Sequence, residues 1–210
     1  MKYEGVIFDL DGVLCHTDAF HYQAWKQAAE EAGIYFDEKI NDRLRGVSRM
    51  ECMEIILEKD PERMTEKQKR DFADRKNGIY RKLLKNMGPE DVSEDVSFTL
   101  MYLKSAGIKL AVGSSSKNAG YILERLGLDD LFDQVTDGND IRNSKPDPEV
   151  FLKAAEGLGL LPKQCLVVED ARAGVDAAAA GGFECAGIGD AAAYRKTTWS
   201  LKRVSDILML

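Results

Sequence analysis

Four acidic side chains stand at the ends of two apolar runs that are far apart in the chain. Asp9 and Asp11 follow a run near the N-terminus, and Glu169 and Asp170 follow a run near the C-terminus. Carboxylates this close together repel one another unless a cation or a proton intervenes. Such oxygen ligands suit Mg²⁺, one aspartate can accept a phosphoryl group, and another can transfer a proton. A solvated acidic turn is the alternative interpretation of either pair alone.

Two further segments offer groups that bind an anion. Residues 114–118, Ser-Ser-Ser-Lys-Asn, follow another apolar run and present hydroxyl and backbone N–H groups to a phosphate. Lys145 precedes Pro146 on a stiff loop, and Asp147 is expected to cap a helix that has Pro148 at its first position. Serine-rich turns and prolines are also common in plain connections, so neither segment is specific by itself.

All of these groups come after segments that the pattern predicts to be buried strands. Apolar runs near residues 6–8, 108–113, 132–136, 164–168 and 183–188 alternate with helical periodicity, which is typical of a doubly wound α/β fold with a parallel sheet. Open sheets of this kind bind ligands at the carboxyl ends of their strands. The sequence therefore predicts that the acidic pairs, the serine-rich turn and Lys145 converge on one crevice. The tail from residue 194 shows no catalytic pattern.

A helical block interrupts this alternation early in the chain. From about residue 16 to residue 88 the periodicity is helical only, which predicts a core domain of residues 1–15 and 89–210 with an inserted all-helical domain of residues 16–88. His21 and Trp25 share the apolar face of its first helix. A histidine on such a face is often a core residue with satisfied hydrogen bonds, and that alternative stays open.

Two cations lie in register with apolar helix faces inside the block. Arg49 stands at the start of a helix for which Ser48 and Glu51 have capping-box spacing, so its guanidinium and the helix N-terminus could bind an anion together. Lys76 lies within the apolar stripe of a long helix that opens at about Thr65, where Thr65 and Gln68 have capping-box spacing. This lysine must extend to solvent or meet an anion. A surface arginine and a lysine that reaches solvent are the alternatives.

Composition limits the classes of function. The chain has 210 residues, 44% of them apolar, and a net charge of −7, which argues against nucleic-acid or membrane-surface partners. No apolar run approaches the roughly 20 residues that span a bilayer. The four cysteines are scattered singly, which is typical of reduced thiols in a cytoplasmic protein.

The order of these motifs resembles that of the haloacid dehalogenase superfamily of phosphotransferases. Residues 9–13, Asp-Leu-Asp-Gly-Val, match its first motif, Ser114 its second, Lys145-Pro146 its third and Glu169-Asp170 its fourth. The helical insert is similar to the small cap domain of subclass I. The resemblance covers nearly the whole chain.

The resemblance implies a role for each residue of these motifs. Asp9 would be the nucleophile that is phosphorylated, and Asp11 the general acid and base. Ser114 and Lys145 would hold the phosphate that is transferred. The Mg²⁺ cofactor would be held by the Asp9 carboxylate, the Asp11 backbone carbonyl and Asp170, with Glu169 beside it.

Within the superfamily the chain is most similar to the sugar-phosphate mutases. This implies interconversion of β-D-glucose 1-phosphate and glucose 6-phosphate through a phosphoaspartate enzyme and β-glucose 1,6-bisphosphate, by a monomer whose partner is the sugar phosphate. The implied substrate-binding residues are Thr17, His21, Trp25, Arg45, Gly46, Val47, Ser48, Arg49, Lys76, Ser115, Ser116, Lys117 and Asn118.

Two alternatives remain at this level. A sugar-phosphate or phosphoglycolate phosphatase of the same superfamily would share every residue of the core motifs. A phosphorylatable switch such as a receiver domain also uses aspartates at strand ends with Mg²⁺, a hydroxyl and a lysine. The helical insert argues against the second alternative.

Overall fold

The computed structural model describes residues 2–44 and 49–210. It divides into two compact units, residues 1–16 with 88–210 (the sheet unit) and residues 17–87 (the helical unit). These limits lie within one residue of the domain boundaries expected from the sequence.

The sheet unit is built on parallel strands. They are β1 Gly5–Phe8, β2 Lys109–Gly113, β3 Gln134–Thr136, β4 Cys165–Glu169, β5 Glu184–Gly187 and β6 Trp199–Ser200, in the spatial order β3-β2-β1-β4-β5-β6. The order reverses between β1 and β4, as in a doubly wound fold. The predicted fold class is confirmed.

Eight α-helices lie in the part of the chain that the structure describes. The helical unit contains α1 Asp18–Glu31, α2 Glu38–Asp42, α3 Arg49–Ile56 and α4 Glu66–Leu83, and the sheet unit contains α5 Glu94–Ser105, α6 Ala119–Leu126, α7 Glu149–Leu158 and α8 Arg172–Ala180.

The two central strands are buried along their whole length. Every residue of β1 and of β4 is buried, as expected for parallel strands covered by helices on both faces. Helices α7 and α8 cover one of these faces, where Phe151 and Ala178 pack in one apolar cluster with Ile7 and Val167. The small residues of α8 allow the helix to approach the sheet closely.

Register places the ends of three strands side by side. Phe8, the last residue of β1, pairs with Val112 on one neighbouring strand and with Val168 on the other. The residues that follow these paired residues are therefore level with one another. Glu169 follows Val168, so it lies level with Asp9. The sheet thus brings residues 9 and 169 together although 160 positions separate them in the sequence.

The helical unit is held by packing between its longest helices. Trp25 of α1 stacks on Phe72 of α4, with 6.1 Å between ring centroids. The capping box predicted at the start of α4 is confirmed, since the Thr65 hydroxyl accepts from the Gln68 N–H and the Gln68 side chain accepts from the Thr65 N–H.

The structure differs from the sequence prediction in several details. Strand β6, which has only two residues at the edge of the sheet, was not predicted. Glu169 is the last residue of β4 rather than the residue after it. Helix α7 begins at Glu149, with Pro148 as its cap, and the Asp147 carboxylate accepts the Glu149 N–H in a local turn instead of capping the helix itself.

The four cysteines are all free and buried. None of the described helices combines the length and the hydropathy that crossing a bilayer requires.

Candidate active site

Three carboxylates meet where β1 and β4 end. Asp9 directly follows β1, and its N–H donates to the Val168 carbonyl at 2.9 Å. Oxygen atoms from Asp9, Glu169 and Asp170 all lie within 4.8 Å of one another. Asp9 and Glu169 are almost fully buried, and Asp170 is partly exposed. We call these three residues the acidic cluster.

Lys145 ties two members of the cluster together. Its ammonium lies 2.5 Å from Asp9 Oδ1 and 2.7 Å from Glu169 Oε1, and the side chain is buried. Burial alone lowers the pKa of a lysine, but the negative charges of Asp9 and Glu169 outweigh it and raise the pKa of Lys145 above its usual range. Lys145 is therefore charged at neutral pH.

The charge balance of the cluster fits a divalent cation. Burial raises the pKa of the Asp9 carboxyl well above its ordinary value; the Lys145 ammonium opposes that rise, and the charge of Glu169 adds to it. One ammonium does not neutralise three carboxylates in a buried site. A hard cation that prefers oxygen ligands would supply the missing charge, so Asp9, Glu169 and Asp170 fit Mg²⁺.

Two glycines make room for these carboxylates. Gly12 has a φ of +84°, and a Cβ added there would overlap the Asp170 carboxylate. Gly174, in the first turn of α8, would likewise place a Cβ on the Glu169 carboxylate. Backbone without a side chain is therefore needed on both sides of the acidic cluster.

Residues 114–118, which we call the serine loop, follow β2 with their hydroxyl groups oriented by the backbone. Ser114 Oγ accepts from the Ser116 N–H at 3.1 Å, and Ser116 Oγ accepts from the Asn118 N–H at 3.2 Å. A hydroxyl that accepts from an N–H directs its own proton elsewhere, so both can donate to a phosphate oxygen. The Lys145 N–H is 3.4 Å from Ser115 Oγ, which links the serine loop to the segment that carries Lys145.

In the helical unit, the structure brings four of the predicted residues together. The Lys76 ammonium lies 2.7 Å from His21 Nδ1 and 4.7 Å from the ring centroids of both Trp25 and Tyr80. The Tyr80 hydroxyl donates to Thr17 Oγ1 at 2.9 Å. Lys76 is buried, so it does not extend to solvent, and its ammonium contacts a ring nitrogen and two aromatic faces.

His21 is neutral in this arrangement. Its pKa lies well below the ordinary value, first because burial disfavours the charged ring and then because the positive charges of Lys76 and Arg49 act in the same direction. The neutral ring accepts a hydrogen bond from the Lys76 ammonium at Nδ1.

Arg49 is the first residue of α3, as predicted. Its guanidinium makes a long contact of 3.4 Å with the Asp74 carboxylate, which is 77% exposed. A pair of this length and exposure is weak, so the guanidinium can change partners at little cost. Arg45, Gly46, Val47 and Ser48, with the predicted Ser48–Glu51 capping box, lie outside the described residues.

A family profile described as haloacid dehalogenase-like hydrolase matches residues 3–182. The chain belongs to the haloacid dehalogenase-like hydrolase family. As a member of that family it is an enzyme of phosphoryl transfer, and the resemblance seen in the sequence is confirmed.

Relatives within the haloacid dehalogenase-like family include both mutases and phosphatases. The chain is 37% identical to a β-phosphoglucomutase of Bacillus subtilis, over 98% of this chain and 92% of that protein. It is 34% identical to a phosphorylated carbohydrates phosphatase of Thermotoga maritima, over 86% of this chain and 82% of that protein. The crystal structure of β-phosphoglucomutase from Clostridium difficile superposes with a TM-score of 0.91 at 36% identity, covering 98% of this chain and 93% of that one.

Sequence reasoning missed some residues that shape this haloacid dehalogenase-type site. The sequence pattern around Gly174 predicts only a helix of small residues, and the position of Tyr80 predicts only a member of the apolar stripe of its helix. For Gly174 the sequence offers one signal, which is a glycine five residues after Glu169 at the start of a helix. Nothing in the periodicity indicates that Tyr80 bonds Thr17.

Proposed function

We propose that this enzyme is a Mg²⁺-dependent β-phosphoglucomutase. It would interconvert β-D-glucose 1-phosphate and glucose 6-phosphate through a phosphorylated Asp9 and β-glucose 1,6-bisphosphate. The observation that carries the proposal is the buried acidic cluster with Lys145 on two of its members, beside a loop of hydroxyl donors. Similarity to a β-phosphoglucomutase over nearly the whole chain supports the choice of reaction.

Asp9 is proposed as the group that accepts the phosphoryl group. Lys145 holds Oδ1 of Asp9, which fixes the carboxylate and aims its other oxygen for attack on phosphorus. The Ser114 hydroxyl and the Lys145 ammonium bind oxygens of the phosphate that moves. When bound, Mg²⁺ supplies positive charge that offsets the carboxylates and the charge that develops on the phosphate oxygens.

Asp11 is proposed as the acid and base for the sugar oxygen. It is partly exposed two residues after the nucleophile, so it can reach solvent or substrate while Asp9 stays buried. Asp11 also belongs to the proposed Mg²⁺ site through its backbone carbonyl, while its carboxylate transfers the proton.

A mutase needs a site for the phosphate that is not transferred. We assign this role to Ser115, Ser116, Lys117 and Asn118 of the serine loop. In the helical unit, Arg49 is proposed to bind phosphate as well, since its weak pair with Asp74 is easily exchanged for an anion. Thr17, His21, Trp25 and Lys76 are proposed to select the sugar, as are residues 45–48. Selection matters because a sugar hydroxyl, and not water, must attack the phosphoaspartate.

The second candidate function is a phosphatase for phosphorylated sugars. The 34% identity to the Thermotoga maritima phosphatase favours it, since such an enzyme would share the acidic cluster and Lys145. The two candidates differ only in the acceptor of the phosphoryl group.

The deciding experiment follows both products from both anomers of glucose 1-phosphate. With Mg²⁺ and a trace of β-glucose 1,6-bisphosphate, glucose 6-phosphate should form from the β anomer and not from the α anomer, and faster than free phosphate appears. The bisphosphate should shorten the lag, because it phosphorylates Asp9. Free phosphate as the main product from the β anomer would replace the mutase with the phosphatase.

A further inference from the structure

The turn that follows β3 supports the serine loop. The backbone N–H of Gly138 donates to the Ser116 carbonyl at 3.1 Å, and the side-chain amide of Asn139 donates to the Lys117 carbonyl at 3.1 Å. Two consecutive carbonyls of the serine loop are thus held by two consecutive residues of one turn. None of the proposed catalytic or binding roles involves this turn.

The turn is itself fixed by local hydrogen bonds. Asp137 Oδ1 accepts from the Asn139 N–H at 2.7 Å, and Asp140 Oδ2 accepts from the Asp137 N–H at 2.8 Å. The Lys153 ammonium, from α7, donates to the Asp140 carbonyl at 2.5 Å. The turn is therefore attached to a helix of the sheet unit, and it can serve as a rigid support.

Contact between the turn and the loop is close. A Cβ on Gly138 would overlap the Ser115 carbonyl oxygen, so only glycine permits the backbones to approach this far. Gly138 explains the proximity, and Asn139 supplies a side-chain bond across it.

Because peptide groups are planar, the two hydrogen bonds to the loop carbonyls also fix the orientation of the serine loop. In a trans peptide the C=O of one residue and the N–H of the next point in opposite directions. Holding the carbonyls of Ser116 and Lys117 against the turn therefore directs the N–H groups of Lys117 and Asn118 away from it. The Asn118 N–H meets Ser116 Oγ, which in turn directs the Ser116 proton toward a ligand.

We propose that Asn139 is a positioning residue for the serine loop and sets the affinity for the phosphate that is not transferred. This rests on the proposed function, in which that phosphate lies on residues 115–118. Asn139 touches no reacting atom. Its effect is to hold the Lys117 carbonyl, and through it the donors of the loop, in the orientation that binds an anion.

The test compares a substrate whose phosphate is proposed to lie on the serine loop with a substrate whose only phosphate is transferred. In Asn139→Ala, the KM for β-glucose 1-phosphate should rise about tenfold while kcat changes less than about threefold, as expected for loss of one hydrogen bond that orders a binding loop. Hydrolysis of p-nitrophenyl phosphate, whose single phosphate is the one transferred to Asp9, should keep its kcat/KM. Asn143→Ala is the matched control, because Asn143 is exposed on the same segment and its N–H, not its side chain, donates to Glu149.

Folding and the proposed function can be separated from this result. Unchanged p-nitrophenyl phosphate hydrolysis by Asn139→Ala shows that the sheet unit is folded. If the wild type proves to be a phosphatase, the same KM comparison is made with β-glucose 1,6-bisphosphate, which carries a second phosphate in either case. An unchanged KM for these substrates, or an equal loss with p-nitrophenyl phosphate, would overturn the positioning role.

Discussion

Lys145 shows how one side chain can organise a site without adding to stability. Its ammonium is buried between Asp9 and Glu169, and the free energy of removing three charged groups from water can exceed what their attraction contributes. The benefit is expected in function, because Asp9, the proposed nucleophile, is held in one orientation before substrate arrives. A buried ion pair of this kind is better explained by catalysis than by folding.

Parallel strands place their last residues at one edge of the sheet. This rule predicted that four residues would lie close together, namely Asp9, Glu169, Asp170 and Lys145. It could not predict which groups pair, since pairing depends on side-chain rotamers and distances of a few ångströms. The contact between His21 and Lys76 is a similar case. Periodicity placed each on an inward face of its own helix, but the rotation of one helix against the other is decided by tertiary packing.

His21 should make stability depend on pH below neutrality. Its folded pKa is depressed, so between about pH 6.5 and that lower value the unfolded chain binds a proton that the folded chain does not. The free energy of unfolding should therefore fall as the pH drops below about 6.5, by up to about 1.4 kcal/mol per pH unit from this group. Urea unfolding at intervals from pH 5 to pH 8 measures it.

The variant His21→Gln isolates this contribution from that of the carboxylates. It should have a shallower pH dependence than the wild type in the same range, whatever its stability at pH 8. The control is His16→Gln, which replaces the other histidine of the chain at an exposed position. Equal slopes for wild type and His21→Gln would contradict a neutral His21 in the folded protein.

At the scale of elements, the sequence identified what is long or strongly patterned. The central strands and the capping box of α4 were predicted because continuous apolar runs and Thr-x-x-Gln spacing are typical of few structures besides a buried strand and a helix start. Strand β6 was missed because two residues at a sheet edge carry no period. The start of α7 was misplaced because Asp and Pro satisfy both a cap and a preceding turn, and only the backbone decides between them.

Helix α8 can pack beside the acidic cluster only because Gly174 has no side chain. In Gly174→Ala, the new Cβ would occupy the space of the Glu169 carboxylate, which now accepts from Lys145 and from the Ala171 N–H. We expect at least a tenfold loss of kcat/KM for p-nitrophenyl phosphate and a destabilisation of about 1–3 kcal/mol from overpacking. Steady-state kinetics and urea unfolding measure the two effects.

Gly120→Ala provides the control for this helix substitution. Gly120 lies in the first turn of α6, and a Cβ there would meet no atom within 4 Å. Since alanine favours helix more than glycine does, this variant should be stabilised by up to about 1 kcal/mol with normal activity. If Gly174→Ala behaves like Gly120→Ala, the carboxylate does not need the space that the glycine leaves.

At the scale of the whole molecule, charge poses the main problem. A chain with a net charge of −7, and with its carboxylates gathered at one edge of the sheet, is proposed to bind a phosphorylated sugar. Unscreened, both the cluster and the overall field would repel that substrate. The Lys145 ammonium offsets only part of this negative charge. A cation at the acidic cluster is therefore central to the proposed function.

Binding of Mg²⁺ should therefore be visible in the stability of the folded protein as well as in its activity. Chelation with EDTA should abolish turnover, and added Mg²⁺ should restore it. At a concentration about 100 times the dissociation constant, a ligand that binds only the folded state stabilises it by about 2.7 kcal/mol, which should raise the thermal unfolding midpoint by several degrees. Asp170→Asn removes one ligand of the cluster and should lose most of this rise, whereas Asp130→Asn, the same change at an exposed aspartate, should keep it. Because an acidic surface also attracts Mg²⁺ weakly, an equal rise in both variants would mean that the ion acts by general screening and that the acidic cluster is not its site.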